Sequence, residues 1–287
     1  MPRLAATVLV VALVTASGPA LSAPADITRY EKIFPTTGRP ALVLQADDAS
    51  VHVTTWDRPA VGVRVSSRGW SVGAPAITVN ASQSGDRVLC EVREPHRAVS
   101  FVIGTRAVRV DVSLPRDADL DVSTGDGAIV LAPLAGEIRA HSGDGSIEAG
   151  GLRGEITLTT GDGRIQGSAL DGSLVARSGD GSITLDGRFD RLEVGTTDGR
   201  VTATAREGSR LATTWDLHSG DGSLTLRVPA TLRADLDLQT GDGGLTVDLP
   251  VEVSGRMERH TLFGRMNGGG PLLRMRCGDG SIRLERL

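Results

Sequence analysis

The chain has very little of several residue types, and each shortage removes a class of explanation. Its two cysteines, Cys90 and Cys277, are too few for a disulfide-framed fold. The histidines at 52, 96, 141, 218 and 260 show no ligand-type spacing, and with so little cysteine no zinc site is expected. No Ser-His-Asp spacing stands out either. Aromatics make up 3% of the residues, so a narrow core of aliphatic side chains is expected. Lys32 is the only lysine, and arginine carries the rest of the positive charge. A net charge of −4 argues against nucleic acid as a partner. Beyond the N-terminus no apolar stretch approaches a membrane span.

The N-terminus itself reads Met1-Pro-Arg3, an apolar run from Leu4 to Val14, then small residues to Ala23 and Ala25. Residues 1–25 are therefore expected to be a secretory signal peptide, cleaved after Ala23 or Ala25. No cysteine follows the run, so a lipid anchor is not expected.

Glycine, in contrast, is abundant and ordered. Gly-Asp-Gly-like corners recur at Asp126, Asp144, Asp162, Asp180, Asp198, Asp221, Asp242 and Asp279, and the first five lie 18 residues apart. Each corner sits in the same apolar frame. Six and four residues before Asp144 stand Ile138 and Ala140; three and five after it stand Ile147 and Ala149. The same four columns are apolar around every corner except at Gly167. The positions between them are mostly polar. Alternation of period two means a strand with one buried face, so each repeat is strand, corner, strand. Glycine supplies positive φ at such a corner, and aspartate can bond nearby amides.

Asp-Gly between strands ordinarily marks a hairpin. Here column identity recurs with a fixed period, which is the mark of stacked coils that cannot bury their apolar faces alone. The expected fold is all-β: a parallel β-helix, or β-solenoid, with about 18-residue coils spaced about 4.8 Å apart. A second corner appears at Leu134-Ala-Gly136, Leu152-Arg-Gly154 and Leu170-Asp-Gly172. Two residues before each corner Asp stands Ser, Thr or, once, Cys277. Alternation points this column inward, where small hydroxyls can bond to neighbouring coils.

An earlier copy of the frame lies at Leu42, Leu44, Ala46, Asp48, Val51 and Val53. Strand-like runs with irregular turns follow it. Residues 26–115 therefore read as a less regular first part of the solenoid or a β-rich cap on it, and 116–287 as the regular repeats. The 37 residues from Asp242 to Asp279 are about two coils, one of which has lost its corner. With coils stacked in sequence order, Cys90 and Cys277 lie far apart. The last coil then ends the stack, and Arg283, Glu285 and Arg286 discourage end-to-end pairing there.

The corner aspartates are the sharpest candidate site. Neighbouring carboxylates about 5 Å apart repel by roughly 1 kcal/mol even in water. Bound Ca²⁺ would offset that; so would hydrogen bonds to corner amides, aided by Arg164, Arg177 and Arg200. The structural turn is the favoured reading. Some parallel β-helices are polysaccharide lyases or hydrolases, which need one local cluster of carboxylates. The best local group is Asp216 and Asp221 near His218 and Trp215, but the frame places Trp215 in the core and His218 in solvent. The glycine-rich corners lead into strands and not helix N-termini, so they offer no phosphate loop. No catalytic residue, cofactor or metal ligand is assigned.

The corner repeat, the opening Leu42 to Trp56-Asp57, and the ending Gly264-Arg-Met-Asn267-Gly-Gly-Gly270-Pro271 through Gly278-Asp279-Gly280-Ser-Ile282 resemble a large bacterial family of adhesin-like domains of unknown function. The resemblance runs from about Ala41 to Leu287. It implies an exported or membrane-attached β-solenoid, and it carries over no catalytic residues. The expected function is a non-enzymatic, exported, adhesin-like protein, periplasmic or extracellular. Its expected partner is an envelope glycan or another protein. A polysaccharide-active enzyme, a calcium-stabilised repeat protein and a purely structural spacer are the alternatives.

Overall fold

The computed structural model describes residues 27–68, 77–94, 107–253 and 258–287. The segment read as a signal peptide, and His96, lie outside them. Among the described residues the protein is all-β and solenoid-like, with every strand in one continuous sheet. The strands are β1 (Ile27–Pro35), β2 (Ala41–Ala46), β3 (Ser50–Thr55), β4 (Ala60–Arg68), β5 (Thr78–Ser84), β6 (Arg87–Arg93) and β7 (Ala107–Leu114). The repeats supply β8 (Asp119–Thr124), β9 (Ile129–Leu131), β10 (Ala135–Ser142), β11 (Ile147–Gly150), β12 (Arg153–Thr160), β13 (Ile165–Ser178), β14 (Ile183–Thr196) and β15 (Val201–Ala205). The remainder are β16 (Trp215–Ser219), β17 (Leu224–Val228), β18 (Ala234–Thr240), β19 (Leu245–Val247), β20 (Val251–Val253), β21 (Thr261–Met266), β22 (Leu272–Cys277) and β23 (Ile282–Arg286).

The apolar columns stack in register. Ile129, Ile147, Ile165 and Ile183 pair in succession along parallel strands, as do Leu120, Ile138, Ile156, Leu174 and Leu192. These side chains are almost completely buried, and each contributes about 1.5–3 kcal/mol through burial. The strands preceding the corners form one flank and those following it the other. The long strands β13 and β14 run through the second corner and join the two. Gly167, the exception in the frame, makes room for a neighbour: a Cβ there would stand 2.7 Å from Leu170 Cδ1.

Coil order departs from the expectation. The first copy of the frame, β2 and β3, does not end the stack. β2 lies between β6 and β8, and β3 between β7 and β9, all in parallel. The irregular stretch therefore supplies both a coil (β6 and β7) and antiparallel covering strands: β5 on β6, β4 on β7, and β1 on β4. The other end mirrors this. β22 lies between β16 and β18, and β23 between β17 and β19. In space the corners thus run Asp198, Asp221, Asp279, Asp242. The segment expected to hold a coil without a corner instead forms β20 and β21, antiparallel strands that cover β18. Arg283, Glu285 and Arg286 consequently lie on an interior strand and guard no open end. Arg227 and Glu285 pair across it at 3.0 Å.

The corner glycines are also needed for a different reason. None of those flanking the corner aspartates adopts positive φ. Adjacent coils approach so closely there that a Cβ on Gly145 would collide with the carbonyl oxygen of Gly127. Positive φ belongs to the second corner, as at Gly154, φ 115°.

Candidate functional site

The inward column beside each corner is a hydrogen-bond ladder. Ser142 Oγ donates to Gly127 O at 2.9 Å and accepts from Gly145 N at 3.0 Å. Thr160 repeats both contacts one coil on, to Gly145 O and from Gly163 N. Ser178 and Thr240 make the same donation, and Cys277 Sγ stands 2.8 Å from Gly222 O. The hydroxyls are buried, and those of Ser142, Thr160 and Ser178 each satisfy two backbone groups that would otherwise cost about 1–3 kcal/mol apiece. Cys90 is also a free, buried thiol. Burial, and secondarily the Glu91 charge, pushes it up to about 11, which makes it unreactive.

This ladder takes the amides that the sequence offered to the aspartates. The carboxylates of Asp48, Asp126, Asp144, Asp162, Asp180, Asp198, Asp221, Asp279 and Asp242 are left exposed along one edge. Asp48 accepts a bond from Asp126 N at 3.3 Å. Among the described residues none of the nine is in an ion pair, so Arg164, Arg177 and Arg200 do not relieve them as expected. Arg177 binds Glu193 instead. Exposure is the relief, since water and salt screen the repulsion. Among the described residues no group of three or more His, Cys, Asp or Glu side chains is placed to hold a metal ion. Millimolar CaCl₂ is therefore expected to leave the melting temperature unchanged, as scanning calorimetry can check. A rise of several degrees would restore the calcium reading.

Around Asp216 the frame holds for Trp215 and His218. Trp215 is core, its ring edge-on to Phe189 at 6.4 Å. Asp221 sits at the corner, outside the hollow. His218 is exposed and lies over Gly195, where a Cβ would strike its ring. Glu193, which sequence reasoning missed, is the register partner of Asp216. The two line an open hollow of about 480 Å³ with Arg191, Thr213, Thr214 and His218. Their separation of 23 residues includes the 206–214 insertion, which conceals the pairing in the sequence. That insertion is anchored by Arg206 on Asp186, Arg210 on Asp190 and buried Leu211.

Both carboxylates are matched by arginine. Glu193 binds Arg177 and Arg191, Asp216 binds Arg274 at 3.5 Å, and Arg274 and Arg276 both reach Asp237. Burial pushes the Glu193 carboxyl up, but hydrogen bonds from Arg191 and Arg177 prevail and hold it below its ordinary value. General acid catalysis needs a carboxyl kept protonated near neutral pH. The group is instead a charge ladder across the sheet, and such half-exposed pairs contribute at most about 1 kcal/mol each.

Among the described residues no helix is long and apolar enough to cross a membrane. No curated protein matches the chain. Solved structures with a similar course include a "putative cell adhesion protein" from Clostridium sporogenes, 12% identical, covering 90% of this chain and 99% of that one, TM-score 0.33. A "putative adhesin" from Bacteroides fragilis is 8% identical, covering 92% and 99%, TM-score 0.36. One from Parabacteroides distasonis is 9% identical, covering 89% and 96%, TM-score 0.31. Likenesses this distant carry no functional argument. The family model described as Toastrack DUF4097, a domain of unknown function, matches residues 41–283. That span holds every corner from Asp48 to Asp279, and the chain belongs to the Toastrack DUF4097 family.

Proposed function

We propose that the chain is an exported, non-enzymatic, adhesin-like β-solenoid that presents a repetitive surface for binding or scaffolding in the bacterial envelope. On this reading residues 1–25 are removed on export. Residues 26–115 form the less regular N-terminal part, and residues 116–287 build a parallel β-helix of about 18-residue coils. The observation that carries the reading is the corner edge. Nine exposed carboxylates stand in one row about 38 Å long, at about 4.8 Å per strand, and no coil is chemically singled out. A surface of identical steps suits a repetitive polymer such as a glycan, or a protein that reads several coils at once. An enzyme would concentrate its chemistry in one place, and the arginine-matched carboxylates at Glu193 and Asp216 do not provide it.

The reading is tested by location. A tagged copy is expected to be cleaved by protease added to intact cells, or to be recovered from the medium. Full protection until the envelope is opened would remove the adhesin-like reading.

A further inference from the structure

The corners from Asp126 to Asp279 all read Asp-Gly, but they are not equally held. An Asp-Gly bond carries its own pair of reactants. The glycine amide nitrogen can attack the carboxyl carbon one residue back, and glycine has no side chain to obstruct the approach. Reaction needs that nitrogen free and able to come close to the carbon. The hydroxyl ladder decides where this condition is met.

At five corners the glycine amide is donated to the inward Ser or Thr hydroxyl at 3.0–3.2 Å, as from Gly145 N to Ser142 Oγ and Gly163 N to Thr160 Oγ1. At a sixth, Gly280 N binds Cys277. Among the described residues Gly127 N and Gly243 N make no hydrogen bond. Gly127 is enclosed nonetheless. It is buried, with Ala49 O against one side and Gly145 against the other. Gly243 belongs to the last corner in space and meets a neighbouring coil, at Gly280, on one side only. Thr240 Oγ1 donates to Gly280 O at 2.6 Å but receives nothing from Gly243 N. His260 Nδ1 lies 3.0 Å from Gly243 O, so the carbonyl of this residue is held while its amide is not. Asp242 and Gly244 are exposed, and a Cβ on Gly244 would meet nothing nearer than Ser281 Oγ at 4.0 Å. The related pair Asn267-Gly268 is restrained. Asn267 Nδ2 donates to Ala230 O at 2.8 Å and Leu232 O at 2.6 Å, which fixes its carboxamide.

We propose that Asp242 is a site of spontaneous covalent modification, converting to isoaspartate through a cyclic imide with Gly243. Gly243 N gives its proton to solvent and attacks Cγ of the protonated Asp242 carboxyl, whose hydroxyl leaves as water. Water then adds to one of the two imide carbonyls. Addition at the side-chain carbonyl restores aspartate. Addition at the main-chain carbonyl leaves the chain joined through Cγ, with composition unchanged and no other reagent consumed. The product has one more carbon in the main chain at the corner that feeds β19, and among the described residues β19 pairs only with β23. The modification therefore marks the age of the folded chain at its C-terminal coil, whatever the surface binds.

The full chain held folded in oxygen-18 water tests the assignment, because each passage through the imide leaves one solvent oxygen on the residue. In peptide maps Asp242 is expected to gain label about tenfold faster than Asp144 or Asp162, and its peptide to become a substrate for isoaspartyl methyltransferase. In urea all the Asp-Gly corners are expected to label at similar rates. Equal labelling of Asp242 and Asp162 in the folded chain, or none at Asp242 in the time the unfolded chain takes to label, would overturn the site. Ser142→Ala removes the acceptor for Gly145 N and is expected to speed labelling at Asp144 several-fold while leaving Asp162 unchanged. No rise at Asp144, or an equal rise at Asp162, would overturn the protection assigned to the hydroxyls.

Discussion

Deleting Leu272 to Leu287 is expected to unfold the C-terminal third of the protein, not merely to shorten it. In a stack built in sequence order, loss of the last coil would expose only the coil beneath. Here β22 and β23 are sandwiched, so their removal strips partners from both sides. Leu273 and Met275 leave Trp215 and Leu217 on one side and Leu236 and Leu238 on the other. Ile282 and Leu284 leave Leu224 and Leu226, and Leu245 and Val247. The four deleted side chains are fully buried, and each contributes about 1.5–3 kcal/mol. That sum is comparable to the whole stability of a typical domain, about 5–15 kcal/mol. Hydrogen exchange is expected to show β18 losing protection together with β16, and Trp215 emission to shift to the red. Protection of β18 in the truncated chain would show that β18 does not depend on β22.

The second large effect is expected at a single methyl group. Gly145→Ala places a Cβ against the carbonyl oxygen of Gly127 and 2.7 Å from Ser142 Oγ. Backbone cannot swing aside as a side chain can, so the coils must separate at the corner, which strains the Ser142 bonds as well. Overpacking of this kind costs about 1–3 kcal/mol. At about 2–4 °C per kcal/mol, the melting temperature should fall by several degrees. Gly150→Ala is the control. Its Cβ would meet its nearest neighbour, Ser168 Oγ, at 3.7 Å, and its melting temperature should hold or rise slightly, because alanine restricts the unfolded chain. Equal losses at both positions would mean that general strand propensity, not coil contact, dictates the glycine.

Much of this was legible in the residues. Alternation identifies the buried columns, and the recurrence of column identity identifies parallel stacking. The inward Ser/Thr/Cys column implies the ladder seen at Ser142, Thr160 and Cys277. Coil order was not legible for a physical reason. Leu273 and Met275 fit as well beneath Leu236 and Leu238 as above them, because every coil offers its neighbours the same apolar frame. Repetition that reveals the fold therefore conceals the order. The corner glycines were read for positive φ, whereas contact between neighbouring coils is what excludes a side chain. The pairing of Glu193 with Asp216 depends on strands brought together across the loop between β15 and β16, which spacing alone does not show.

The interleaving of the coils is tested most directly by distance. Spin labels at His218 and Arg276, register partners on β16 and β22, should report backbones one strand step apart, about 4.8 Å. Labels at His218 and Gln239 should report two steps, about 10 Å, because β22 lies between β16 and β18. The shorter separation for His218 and Gln239 would contradict the account and return the coils to sequence order.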